Sequence, residues 1–268
     1  MSTPNTKKES SFKALFAAIV IPTSIVVSWV IYKFILGAES NFDAEGHPVA
    51  GNYLGVIYMG GPIVPILITV NLLVLTFSIE RFITISKAKG SARVEPFIKK
   101  VKTLMSNDNI DAAIAECDKQ KGSIAAVIKA GLGKYVYVAK DASMDKESKI
   151  AAIQKELEEA TSLELPMLSK NLVIISTCAS IATLIGLIGT VLGMIRAFAA
   201  LAQAGAPDAT ALATGISEAL INTALGIIGS TIAIIMYNYF TSKIDTLTYG
   251  IDEAGFSIVQ TFNEKHRA

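Results

Sequence analysis

The 268 residues carry 24 Lys and Arg against 23 Asp and Glu, a balance that points away from a nucleic-acid-binding role. The chain is 51% apolar and only 18% charged, with a mean hydropathy of +0.49, which a soluble domain reaches only by burying nearly all of itself. The apolar residues fall in four long blocks, so the expected fold is an all-α integral membrane protein with about four transmembrane helices and a helical cytoplasmic domain between spans two and three.

Residues 1–54 read as an N-terminal tail, an extra span and a linker. The first apolar run, 14–36, follows Lys7, Lys8 and Lys13. A secretory leader has an apolar core of only ~7–15 residues. This run is longer, and Lys33 near its far end can snorkel, so it reads as an uncleaved span. The linker 37–54 has no Lys or Arg and carries Glu39, Asp43 and Glu45. The second run, 55–79, holds Pro62 and Pro65 and stops at Glu80 and Arg81, which sets a second segment at 55–82.

Residues 83–170 are charged and helix-periodic, and form the expected cytoplasmic bundle. Asn109 has the position of a helix cap. A helix over 123–132 is expected to end at Gly131 or Gly133. Another over 145–165 carries Ile150, Ile153 and Leu157 at helical spacing and leads toward span three, with a kink expected at Pro166. Lys99, Lys100 and Lys102 read as a solvated helix face, with contact to anionic membrane lipid as the alternative. The third and fourth runs, 172–202 and 211–240, both exceed the ~20 residues needed to cross, and 241–268 reads as a cytoplasmic C-terminal helix. The turn 203–210 has neither Lys nor Arg, whereas 81–170 holds most of the basic residues. The positive-inside rule therefore puts that segment and both termini in the cytoplasm.

Cys117 and Cys178 show no metal or disulfide spacing and read as free thiols. His47 and His266 lie in linker and terminal sequence, and no phosphate loop, metal cluster or nucleophile motif is present. The expectation is a protein that is not an enzyme and needs neither cofactor nor metal.

The chemistry concentrates in 171–240. The formal charges there are Arg196, Asp208 and Glu218. Asp208 lies in the turn, and Arg196 near the outer end of span three, where it can reach the interface. Glu218 lies about two turns into span four, where a carboxylate is costly and functional by default. On span three, Ser176, Ala179, Thr183, Gly186, Thr190, Ala197 and Leu201 share a stripe at ~100° per residue. On span four, Ala211, Gly215, Glu218, Asn222, Gly226 and Gly229 share one face, with Thr223 and Ser230 beside it. Small faces allow close helix packing, here at Gly186, Gly189, Gly193, Gly226 and Gly229. With Thr183, Thr190, Thr223, Asn222 and Glu218 on the same pair of helices, they can also line a narrow polar path.

The run Leu184-Ile185-Gly186-Leu187-Ile188-Gly189-Thr190-Val191-Leu192-Gly193-Met194, with Gly215-Ile216-Ser217-Glu218-Ala219-Leu220-Ile221-Asn222-Thr223-Ala224-Leu225-Gly226 and Tyr237-Asn238, resembles the signature helices of the MotA/TolQ/ExbB proton-channel family, and most of all its ExbB/TolQ branch. Ser78-Ile79-Glu80-Arg81-Phe82 and Ala125-Ala126-Val127-Ile128-Lys129-Ala130-Gly131-Leu132 are similar to that branch's first-helix end and cytoplasmic helix. The resemblance implies a pentameric ring in the bacterial inner membrane, around a dimer of single-span ExbD/TolR-like partners that carry the proton-binding aspartate. It implies that Thr190 and Thr223 face the pore, that Glu218 supports the pore or contacts the partner, and that a TonB-like protein receives the force. The branch usually has three spans, and the flagellar-stator branch carries prolines in its last two. Here the only proline between 171 and 240 is Pro207, in the turn.

A stator for motility, gliding or secretion is the alternative within the family, and a non-conducting membrane scaffold the alternative outside it. A secondary transporter is disfavoured by the absence of a repeat between the span pairs.

Overall fold

The computed structural model describes residues 5–203 and 209–266, with side chains for 16–202 and 209–266. Asp208, Pro207 and most of the expected 203–210 turn lie outside these residues, as do the side chains of Lys7, Lys8 and Lys13. Every regular element among the described residues is helical, apart from one isolated bridge between Phe42 and Pro48. Among the described residues, four helices are long and apolar enough to cross a membrane. The chain divides into two compact units, Met1–Ser78 with Ile174–Tyr237, and Ile79–Val173 with Asn238–Ala268.

In the first unit, α1 (Asn5–Val30) continues into a π-helical segment, Ile31–Leu36. Its outer face, including Val26, Trp29 and Phe34, is exposed and suited to lipid. Its polar face turns inward, where the Ser28 and Thr69 hydroxyls share a buried 2.7 Å hydrogen bond. Asn41 then donates to the carbonyls of Ile35 (2.7 Å) and Leu36 (2.9 Å), two of the acceptors orphaned where the helix stops.

The run read as one span over 55–79 is divided. Asn52 caps a short α2 (Tyr53–Tyr58), accepting from the Leu54 and Gly55 N–H groups. A single 3₁₀ turn, Gly61–Ile63, leads into α3 (Val64–Lys89). The cause is local. Gly61 takes φ +75°, a region open mainly to glycine, and Pro62 offers no N–H to continue the ladder. Pro65, by contrast, sits in the first turn of α3, where no such donor is required.

The other two spans are α8 (Leu172–Gln203) and α9 (Ala209–Lys265). Within the first unit their small stripes face each other. A Cβ added to Gly186 would stand 2.9 Å from the Asn222 carbonyl and 3.1 Å from the Gly226 Cα. One on Gly193 would stand 2.8 Å from the Ala219 nitrogen and 2.9 Å from the Gly215 carbonyl. Gly229 faces α3 instead, with the Asn71 amide 2.9 Å from where its Cβ would be. The segment 241–268 does not start a new helix, because α9 runs unbroken to Lys265.

The second unit contains α4 (Val94–Ser106), α5 (Ile110–Gln120), α6 (Gly122–Lys140) and α7 (Lys146–Ser169), with the C-terminal parts of α3 and α9. Asn109 caps α5 as expected, accepting from the Ala112 N–H at 3.1 Å. α6 runs past both Gly131 and Gly133, the expected stops. Gly131 serves packing there, since a Cβ would collide with Leu157. Ile128, Leu132, Ile153, Ile258 and Phe262 are fully buried, and Tyr135 stands edge-on to Phe262 at 5.0 Å. Pro166 is accommodated within α7. At the end of that helix the buried Arg81 donates to the carbonyls of Met167 (3.1 Å) and Leu168 (2.9 Å). Glu80 pairs with Arg81 and accepts from Thr84 (2.9 Å) and Asn171 (3.0 Å).

Two expectations follow. Gly226→Ala drives a methyl into backbone at Ala182 and Gly186 and is expected to destabilise by about 1–3 kcal/mol. Gly133→Ala, with nothing within 4 Å, is expected to stabilise by about 0.5–1 kcal/mol. Thermal unfolding in detergent compares them. Burial pushes the Cys117 thiol up to about 12. At pH 8 it is therefore expected to resist maleimide in the folded protein and to react once the protein is denatured.

Candidate functional site

The site is assembled on the α8–α9 seam, all within the first unit. Glu218 lies nine residues into α9 and is 6% exposed. An isolated carboxylate at that burial would be strongly disfavoured. Its partner is Arg196 of α8, whose Nη1 donates to Glu218 Oε1. The Arg196 side chain is about half exposed (48%), so one end of the pair reaches the surface of this chain while the other is enclosed. The turn that interrupts the second span closes over the carboxylate. A Cβ on Gly61 would lie 2.5 Å from Oε1, so the absent side chain is what leaves room for it.

Asn222 lies one helical turn further on and is fully buried. Its Nδ2 donates to the Gly60 carbonyl at 2.8 Å. It rests on Gly189, whose Cβ would stand 2.5 Å from Asn222 Cβ. Its Oδ1 has no hydrogen-bond partner among the described residues, a buried acceptor whose desolvation is uncompensated by about 1–3 kcal/mol.

Across the seam the hydroxyls of Thr190 and Thr223 are hydrogen-bonded to each other. Whichever of the two accepts in that bond can donate its own hydrogen one turn back along its helix, Thr190 to the Gly186 carbonyl at 3.1 Å or Thr223 to the Ala219 carbonyl at 3.3 Å. Both are half-buried. Thr183 stands apart. It is exposed and lines a separate open groove of about 350 Å³ with Ser176, Ser180, Ser230 and Tyr237.

Glu218, Asn222, Thr190 and Thr223 are thus gathered at one seam, with Gly186, Gly189, Gly193 and Gly226 allowing its closeness, while Thr183 and Gly229 lie in different surroundings. Sequence reasoning missed Arg196 as a partner and missed the Gly60–Gly61 turn. The signal was present: Arg196 is the only cation between 171 and 240, and Glu218 the only carboxylate there outside the turn.

The sequence model of the MotA/TolQ/ExbB proton channel family matches residues 119–253, half of the chain. The protein belongs to that family. It is 28% identical over 124 residues to the Tol-Pal system protein TolQ of Pseudomonas aeruginosa, covering 46% of this chain and 54% of the relative. It is 34% identical over 111 residues to the TolQ of Haemophilus influenzae, covering 40% and 49%. It is 36% identical over 70 residues to the biopolymer transport protein ExbB of Salmonella typhimurium, covering 26% and 29%. The chain thus spans at most about half the length of these relatives. Every residue of the seam cluster except Gly60 and Gly61 lies inside the family match.

The geometry makes the pair testable by a double-mutant cycle. Arg196→Gln leaves a buried carboxylate unpaired, and Glu218→Gln leaves an orphan guanidinium at the surface. The first is expected to cost more, about 1–3 kcal/mol after discounting the exposed arginine. The double variant is expected to recover part of the loss, as a coupling of about 1–2 kcal/mol in thermal unfolding. Strict additivity would mean that the pair is only a surface contact.

Proposed function

We propose that this chain is the ring-forming subunit of a proton-motive-force-driven channel in the bacterial inner membrane, with both termini in the cytoplasm. In this reading several copies, five in the expected ring, surround a dimer of single-span ExbD/TolR-like partners. An aspartate in the partner helix takes up and releases the proton. The Thr190–Thr223 pair supplies hydroxyls that can both donate and accept along the wet path. The buried Asn222 Oδ1 is an acceptor beside that path with no hydrogen-bond partner among the described residues. Glu218, held by Arg196, fixes the local charge beside that path. The single observation that carries the reading is this gathering of hydroxyls, amide and ion pair on two family-matched helices whose remaining exposed residues, as far as Tyr237, are largely apolar.

The force would pass through the partner to a TonB-like protein and open outer-membrane transporters. A Tol-type envelope motor is the second reading, favoured by the two TolQ relatives. Deleting the gene separates them. Loss of energised uptake of a ligand too large to diffuse supports the first, and loss of outer-membrane integrity with uptake intact supports the second.

Proton flux into vesicles, followed with a pH-sensitive dye and with the partner co-purified, tests the channel itself. Thr190→Val, Thr223→Val and Glu218→Gln are each expected to slow flux about tenfold, equivalent to ~1.4 kcal/mol on the barrier. Unchanged flux in all three would remove the pore assignment. Flux that required sodium in a pH-clamped assay would replace the proton with sodium, and no flux in the wild type with its partner would leave a scaffold.

A further inference from the structure

A second feature lies in the other unit, unconnected with the seam. The C-terminal end of α3, the start of α4 and α9 just past Tyr237 enclose an open groove of about 630 Å³. Its floor is apolar, with Phe82, Ile85, Phe240 and Leu247 among its lining. Around it stand three exposed cations, Lys89, Arg93 and Lys243. None of the three is in a salt bridge among the described residues. Lys243 leans over the Tyr239 ring, 5.4 Å from its centroid. The one carboxylate in the lining, Glu95, is already paired with Lys99 at 3.2 Å.

The position in the chain is informative. Phe82 follows directly on the Glu80–Arg81 stop of the second apolar run, and Phe240 closes the fourth. The groove therefore belongs where hydrocarbon gives way to headgroups, on the side richest in Lys and Arg, and Tyr239 is an aromatic suited to that boundary. Three unpaired cations over an apolar floor match a ligand with a phosphate at one end and acyl chains at the other. A volume of this order holds a headgroup and the first carbons of its chains. Lys99, Lys100 and Lys102 fit less well, since each is already matched to a carboxylate, Glu95, Glu116 and Glu253 respectively.

We propose that this groove is a binding site for an anionic phospholipid of the inner leaflet, its phosphate held by Lys89, Arg93 and Lys243 and its acyl chains laid against Phe82, Phe240 and Leu247. The bound lipid supplies the counter-charge that no side chain provides, and joins the ends of three helices at the membrane boundary.

The test uses the full chain in detergent micelles holding equal phosphatidylglycerol and phosphatidylcholine, with retained lipid read by native mass spectrometry. The wild type is expected to keep phosphatidylglycerol over phosphatidylcholine by about a hundredfold, and the variant Lys89→Gln/Arg93→Gln/Lys243→Gln to lose that preference, at about fivefold per cation. The variant Lys119→Gln/Lys140→Gln/Lys155→Gln removes the same charge from exposed positions elsewhere and is expected to retain it. If the site triple does not fold, Arg93→Gln alone is expected to show the fivefold loss. Equal retention by site and control triples, displacement of the retained species by inorganic phosphate, or a wild type that keeps no phosphatidylglycerol because a second copy of the chain fills the groove would each overturn the proposal.

Discussion

The backbones of α8 and α9 touch. In a membrane nothing hydrophobic drives one apolar helix onto another, because lipid is as apolar as leucine, so association depends on close contact and on polar groups that find each other. Gly186 against Gly226, and Gly193 against Gly215 and Ala219, supply the contact. Closeness then decides the chemistry. Only at this separation do the Thr190 and Thr223 hydroxyls meet, and only with Gly189 empty does Asn222 fit beneath α8. A side chain at any of these glycines would part the helices and separate the polar pairs together.

The burial of Glu218 makes sense within that seam. A charge taken from water costs several kcal/mol even after relaxation, and an ion pair recovers it only with good geometry. Two features offset that cost here. Arg196 reaches the carboxylate from a position that leaves about half of its own side chain outside the seam. Gly61, at φ +75°, leaves the carboxylate the space it occupies. The glycine is needed twice over, once for its backbone conformation and once for its missing side chain.

What the sequence reveals here depends on the kind of signal. The four apolar runs, the small stripes on the last two and the depth of Glu218 are periodic or compositional, and periodicity survives without coordinates. The second run could not be seen to break, because Gly60-Gly61-Pro62 is as apolar as its flanks and differs only in backbone freedom. The stop expected at Gly131 failed for the opposite reason. A glycine in a helix interior reads as a terminator unless one knows that Leu157 needs the space. Arg196 lies toward the C-terminal end of α8, but its direction toward Glu218 is a property of two helices together, and no single stripe contains it. The lysines of α4 show the same limit: Lys99, Lys100 and Lys102 stand out in the sequence, yet their charges are matched to carboxylates.

Each unit also resolves a broken backbone ladder in the same way. In the first, the second span stops at Gly60–Gly61, and the Gly60 carbonyl is taken up by Asn222, one turn from the Arg196–Glu218 pair. In the second, the helix containing Pro166 ends at Ser169, and the carbonyls of Met167 and Leu168 are taken up by Arg81, which is paired with Glu80, while Asn171 donates to the same glutamate. A carbonyl deprived of its helical N–H needs a donor where water is scarce. Arginine and asparagine can supply one, and the charge that arginine brings then requires a carboxylate beside it. Arg196 with Glu218, and Arg81 with Glu80, thus stand where helices are interrupted, and the interruption at Gly60–Gly61 is the one that lies against the family's signature helices.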